Sequence, residues 1–277
     1  MKPAIFLGLA IVVGAAERAV DPTFYRISMG TAAVAPAPMT SGTCRVQPVF
    51  GDGSGKTAGV RGLGRFARIV VDANGKCAAA SYAKEEQTWF VLKGEAKLNG
   101  RALRTDDFVY IPAGERVELA AGSGAVEVLQ IGYLVPEGAK GGTQVEVANA
   151  GNVKKQTVGN HPASTLYQLL VGGTASTRDR IAAGASLTSL FIMDMAPGGT
   201  NFPHHHDREE ELYVVIGGSG DLVAGGGANG VEGKFAVKAG DACLYRLNAT
   251  MGFYNTGRGQ ARILAARWKY PFAKEKE

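Results

Sequence analysis

The chain matches itself. Residues 86–94, EQTWFVLKG, align with residues 210–218, EELYVVIGG, at an offset of 124, and residues 107–112, DFVYIP, align with residues 241–246, DACLYR, at an offset of 134. Two copies of one unit of domain size therefore follow one another. The ten-residue difference predicts a longer loop in the second copy, and the glycine-rich stretch from Ala224 to Gly230 supplies it.

Each copy reads as strand, turn, strand. Trp89 to Leu92 and Tyr213 to Ile216 are β-branched, aromatic or aliphatic runs that end near glycine, and second strands start at Asp107 and Asp241. Both faces of these strands are apolar, so one face is expected to fill a barrel and the other to pack on a second sheet or on the sister domain. Helix signals are weak, with a turn expected near Asn152 to Gln156. The 277 residues suffice for two cores, and a hydrophobic fraction of 45% with 20% charged residues excludes a disordered chain. The predicted class is all-β.

Charge narrows the partners. The net charge is +5, but the Lys and Arg residues are scattered, with no basic block interleaved with aromatics. This argues against a nucleic-acid partner and leaves a mild preference for small anionic molecules. Residues 1–16, MKPAIFLGLAIVVGAA, carry Lys2, an apolar stretch from Ile5 to Val13 and the small residues Gly14, Ala15 and Ala16. That pattern reads as a cleaved secretory signal, too short to span a bilayer, and predicts a periplasmic or secreted protein without a stable membrane anchor. In an oxidising compartment Cys44 and Cys77 are the natural disulfide candidates, although sequence alone leaves the pairing open. Cys243 lies in an apolar run and reads as a buried small residue.

The segment from Gly198 to Glu211, GGTNFPHHHDREEE, concentrates the candidate chemistry. Residues two apart in a strand share a face, so His204 and His206 point together and His205 points away. A turn brings back Glu211, which shares its face with Tyr213 and Val215. Two imidazoles and a carboxylate converging in this way form a facial set with open positions for a divalent transition metal. The bland reading is an exposed histidine tract beside an acidic turn.

These residues resemble the cupin family. Its first motif is matched by Gly198, His204, His206, Glu211 and Gly218. Its second motif is matched by Gly240, Asp241 and Asn255, while Arg246 stands at the proline position and Met251 at the position of the fourth metal ligand. The resemblance spans residues 65–270 and implies two tandem jelly-roll (double-stranded β-helix) barrels, a bicupin. Offsets of 124 and 134 place Ala80, Tyr82, Gln87 and Val117 at the four ligand positions of the first copy. Alanine and valine cannot coordinate, so only the second copy is expected to hold an ion. The implied organisation is a signal at 1–16, an N-terminal extension wrapping the surface at 17–60, a degenerate barrel at 61–136, a connection at 137–165 and a metal-binding barrel at 166–272.

The expected cofactor is one divalent ion, Fe, Mn or Zn, with Cu favoured if the Met251 thioether ligates. Met251 could instead simply fill space and leave more open positions, or an unassigned residue could complete the set. Met193 and Met195 share a strand face, where they could line a pocket or pack in the core. Tyr213 is a candidate acid or hydrogen-bond donor, or an ordinary core tyrosine. Arg246 could pair with a substrate carboxylate or lie on the surface. His161 reads as structural or exposed. The resemblance implies dioxygenases, decarboxylases, isomerases and lyases as activity classes, with a lean toward a dioxygenase-like oxidoreductase acting on a small organic substrate. The alternative is a binding or storage protein in which the metal is structural. A homodimer is compatible with the apolar outer faces.

Overall fold

A computed structural model describes residues 18–55, 60–227 and 230–270. The signal-like residues 1–16 lie outside this range. No helix among the described residues is long and apolar enough to cross a membrane.

The chain builds two β-barrels with matching strand orders. The large sheet of the first runs Glu146–Asn149, Asp107–Ile111, Glu85–Lys93, Val126–Leu134, Leu63–Val71 and Cys44–Gly51. That of the second runs Phe24–Ser28, Asp241–Tyr245, Glu209–Gly217, Ala261–Lys269, Leu187–Met195, Thr165–Gly173 and Ile181–Gly184. Smaller sheets are associated with each barrel: Leu119–Ala121, Glu95–Leu98 and Arg101–Arg104 in the first, and Glu232–Lys238, Ser219–Gly225 and Thr250–Tyr254 in the second. The extra residues of the second copy therefore lengthen a hairpin, whose strands run to seven residues against four, as well as its loop.

Strand alternation decides what each face does. In Glu209–Gly217, Tyr213 and Val215 join the interior of the second barrel, while Leu212 and Val214 join a cluster shared by both barrels. Trp89 and Val91 of the first barrel point to its interior, and Phe90 points to the shared cluster. The two large sheets thus pack face to face through residues such as Phe66, Tyr133, Leu190 and Trp268, each side chain contributing about 1.5–3 kcal/mol of transfer energy when buried. Gly94 and Gly218, one glycine seen twice, end the two central strands at φ +89° and +75°, where a side chain would also run into a neighbouring backbone.

The segment expected to wrap the surface carries two strands, Phe24–Ser28 and Cys44–Gly51. Cys44–Gly51 pairs antiparallel with Leu63–Val71, so the first barrel begins well before residue 61. Phe24–Ser28 pairs with Asp241–Tyr245 of the second barrel, whereas Glu146–Asn149, from the stretch expected to be a plain connection, pairs with Asp107–Tyr110 of the first. Each copy thus lends its leading strand to the other, which no local pattern in five or four residues can announce. A short 3-10 turn at Ala150–Asn152, capped by the Asn149 side chain, precedes the expected turn position. Cys44 and Cys77 are joined in a disulfide, and Cys243 is buried and free.

Candidate metal centre

The ligand atoms of His204, His206 and Glu211 all lie within 4.8 Å of one another, half-buried to buried, in the second barrel. The Glu209–Gly217 strand carries Glu211, and the loop that follows Leu187–Met195 carries the histidines. His204 is fixed on both sides of its backbone, its N–H donating to Met251 O at 2.9 Å and its carbonyl accepting from Met251 N at 2.8 Å. Its Nδ1 sits 2.8 Å from the Phe202 carbonyl, which leaves Nε2 free to face the centre. Phe202 reaches that pose at φ +53°, a conformation that costs a non-glycine residue energy and is held here by its N–H donating to Thr200 Oγ1 at 2.9 Å. His205 is exposed, as alternation predicts.

The donor set fits a divalent ion. Glu211 is 1% exposed, and its Oε2 lies 3.1 Å from His206 Nε2 yet has no hydrogen-bond partner of adequate geometry. A buried carboxylate oxygen with an unused lone pair is costly unless something cationic completes it. Two imidazoles and a carboxylate supply the ligand types that first-row divalent ions take.

The three ligands open into a cavity of about 110 Å³. Its walls include Leu169, Phe191 and Met193 on the apolar side, and His161, Tyr167, Asn201, Tyr213 and Arg267 on the polar side, with the exposed Arg178 also contributing to its lining. Such a space suits a molecule of a few heavy atoms. Tyr213 is buried against Tyr245, and its hydroxyl accepts a hydrogen bond from Asn201 Nδ2 at 2.8 Å. Asn201 Oδ1 accepts from Phe253 N at 2.8 Å, which pins the loop to the barrel. Burial, then the nearby Glu211, pushes the Tyr213 and Tyr167 phenols well above their ordinary range, so both remain protonated at neutral pH.

Arg267 stands directly across the strand pair from Glu211. Burial works against its charge, but Glu211 and then Glu209 outweigh it and hold the guanidinium firmly cationic. Its Nη1 lies 3.6 Å from Glu209 and 3.5 Å from His206 Nε2, and its Nε is buried without a hydrogen-bond partner. Sequence reasoning passed over it. Period-two reading of Ala261–Lys269 would have found it, because Ala261, Ile263 and Ala265 all point inward and Arg267 continues that face.

Two of the candidate residues lie away from the cavity wall. Arg246 does not line the cavity; it follows the parity of Ala242 and Leu244, which face the sister barrel, and it lies close enough to Glu210 to favour that carboxylate's charge. Met251 is fully buried in the interior cluster and is absent from the cavity wall, so it packs rather than opening onto the ligand space. Of the methionine pair, Met193 lines the cavity and Met195 does not, though both belong to the interior. His161, expected to be structural or exposed, faces the cavity beside His204.

At the matching place in the first barrel the polar groups satisfy one another. Gln87 Oε1 accepts from Trp89 Nε1 at 2.8 Å and from Gln130 Nε2 at 3.0 Å. Arg65 pairs with Glu85 at 2.7 Å and lies over the Tyr82 ring at 4.1 Å. Ala80 pairs with Val117, two of the positions that would need ligands.

A model of the cupin domain family matches residues 191–267. No curated protein matches the chain. Among solved structures, a Pseudomonas aeruginosa protein provisionally named as glyoxylate-induced is similar at 17% identity and a TM-score of 0.72, over 94% of this chain and 95% of that one. A Lactobacillus farciminis oxalate decarboxylase in complex with formate is similar at 13% identity and a TM-score of 0.64, over 94% and 88%. The Bacillus subtilis oxalate decarboxylase, studied for its Mn(II) centres, is similar at 12% identity and a TM-score of 0.65, over 93% and 80%. At these identities the likeness is one of fold.

Proposed function

We propose that this chain, which belongs to the cupin superfamily and carries two barrels in tandem, binds one divalent transition-metal ion on His204, His206 and Glu211 and acts as a metal-dependent enzyme on a small anionic organic molecule. The observation that carries the reading is the meeting of three ligand atoms within 4.8 Å, one of them an otherwise unpartnered buried carboxylate oxygen, on the wall of a small cavity. A bound divalent ion supplies Lewis acidity to substrate oxygens.

The chain's own residues account for the rest. Arg267, cationic and on the cavity wall, offers a substrate carboxylate a charge-assisted partner close to the ligands. The Tyr167 and Tyr213 hydroxyls keep their protons and serve as neutral polar groups on the wall. Leu169, Phe191 and Met193 exclude water from one side, which strengthens the electrostatics of the other. The cavity's size and its cationic Arg267 suit a small acid or comparable oxyanion. The Cys44–Cys77 disulfide and the composition of residues 1–16 support an exported, periplasmic or secreted protein.

Metal analysis of protein purified without metal supplementation, followed by turnover assays on a panel of small carboxylates, catechols and diketones under air, tests the reading. A stoichiometric ion with turnover of a panel member supports it. A metal-loaded protein that small acids stabilise against heat, yet that turns none of them over, points instead to a binding protein. Absence of any ion overturns both.

A further inference from the structure

We infer that His161, from the segment linking the barrels, is the fourth protein ligand of the ion and takes the role that Met251 leaves open. The inference rests on the metal reading of His204, His206 and Glu211 and deepens it.

Three features bring His161 to the centre. It lines the same cavity as the three ligands, half-buried, whereas Met251 does not reach that wall. Its ring lies 5.6 Å from that of His204 in an edge-on arrangement, close to the 5.2 Å between His204 and His206. Imidazoles sharing an ion at about 2.1 Å have ring centres roughly 4.6–5.6 Å apart for ligand angles between right and trigonal. The segment is also anchored on both sides of His161. Gln156 exchanges backbone hydrogen bonds with Tyr167 at 3.0 and 2.7 Å, and Thr165 N donates to Pro162 O at 3.0 Å.

His161 stands outside the trio whose ligand atoms lie within 4.8 Å, so ligation requires its side chain to swing inward. The turn that carries it is closed by a single bond from His161 N to Val158 O at 3.3 Å. The ring packs against Tyr167 at 5.4 Å and hydrogen-bonds the Asn201 backbone, a contact that the swing exchanges for the ion. The resulting set of three imidazoles and one carboxylate would be drawn from two loops and a strand, so ion binding would fasten the linker to the second barrel.

The test is Mn(II) binding to the full chain and to His161→Ala, His161→Phe and His206→Ala variants, with affinity measured by titration and bound imidazole nitrogens counted by pulsed EPR. His161→Phe keeps the ring packing and removes the nitrogens. The expected result is three imidazoles in the unmodified protein and two in both His161 variants, with affinity lower by at least tenfold. Hydrogen exchange across residues 157–164 should slow on Mn(II) addition only where His161 is present. Unchanged affinity and an unchanged nitrogen count in both His161 variants, with binding lost in His206→Ala, would overturn the inference and leave the trio standing. An unmodified protein that takes up no Mn(II), with His206→Ala indistinguishable from it, would instead bring down the metal reading and this inference with it.

Discussion

Glu86 and Glu210 occupy the same position in the two copies, and each accepts backbone N–H groups from the other barrel. Glu86 takes Ala185, Ser186 and Leu187 at 2.7–2.8 Å together with the Tyr110 hydroxyl at 3.0 Å. Glu210 takes Arg61 and Gly62 at 3.2 Å together with the Trp268 indole at 3.1 Å. The amides obey the same offset of 124 as the acids. Gly62 is required because a side chain there would strike the Trp268 ring. The repeat visible in the sequence is therefore also a reciprocal lock between the barrels.

Replacing Glu86 with alanine strips three buried amides of their acceptor at once. Each abandoned buried donor costs roughly 1–3 kcal/mol, with water recovering part of it, so a loss of about 3–5 kcal/mol is expected. Urea unfolding checks this, and a loss below about 0.5 kcal/mol, the size of an ordinary surface change, would contradict the lock.

Glu210 should also leave a signature in pH. Burial holds its carboxyl above the ordinary value of 4.5, outweighing the Gly62 and Arg61 amides, the Trp268 indole and Arg246, which pull the other way. The folded state then binds this proton more tightly than the unfolded state. Its contribution is complete below about pH 4.5 and is lost as pH rises through the raised value. Relative to Glu210→Gln, the unmodified protein should lose stability as pH climbs above about 4.5. Parallel stability curves for the two proteins would refute this.

Cys44 and Cys77 are 33 positions apart, a loop for which chain entropy gives about 3–4 kcal/mol of stabilisation. Reduction, or paired replacement by serine, should lower the urea midpoint accordingly. An unchanged midpoint under reducing conditions would show that the bridge contributes nothing.

His206→Ala should abolish ion uptake while His205→Ala leaves it intact, because the first side chain faces the trio and the second faces solvent. Gln87→Glu should create no site in the first barrel, where Ala80 and Val117 offer no donor atoms. Equal metal loss in the two histidine variants, or stoichiometric metal in the first barrel of Gln87→Glu, would be the contrary results.

Arg267→Met should weaken binding of malonate, used as a probe carboxylate, by about 10–100-fold, the worth of one charge-assisted hydrogen bond. Arg246→Met, on the face toward the sister barrel, should leave malonate affinity alone. Calorimetric titration of the metal-loaded proteins distinguishes the two arginines, and equal effects would sink the assignment.

Much of this architecture was legible in the sequence. Glycine-bounded apolar strands at a fixed offset announce two copies, and two-residue alternation anticipates the orientation of His204, His205 and His206, although they lie on a loop and only Glu211 lies on a strand. What escaped depends on pairing rather than on local pattern. Arg267 reaches the cavity because its strand lies beside that of Glu211, a register that no short motif states. Arg246 is a cavity candidate only because its strand ends near the barrel mouth, whereas the parity it shares with Leu244 turns it toward the sister barrel. His161 belongs to a stretch without strand periodicity, and only the fold brings it beside His204.

The crossing of Phe24–Ser28 and Glu146–Asn149 makes the two barrels mutually dependent for their outermost staves. A polypeptide severed between Leu134 and Glu146 would give one fragment carrying a strand it cannot use and lacking one it needs, and a second fragment in the complementary predicament. Neither piece could close its sheet edge unaided, but the two together hold every stave, so their natural fate is to find each other and rebuild the whole.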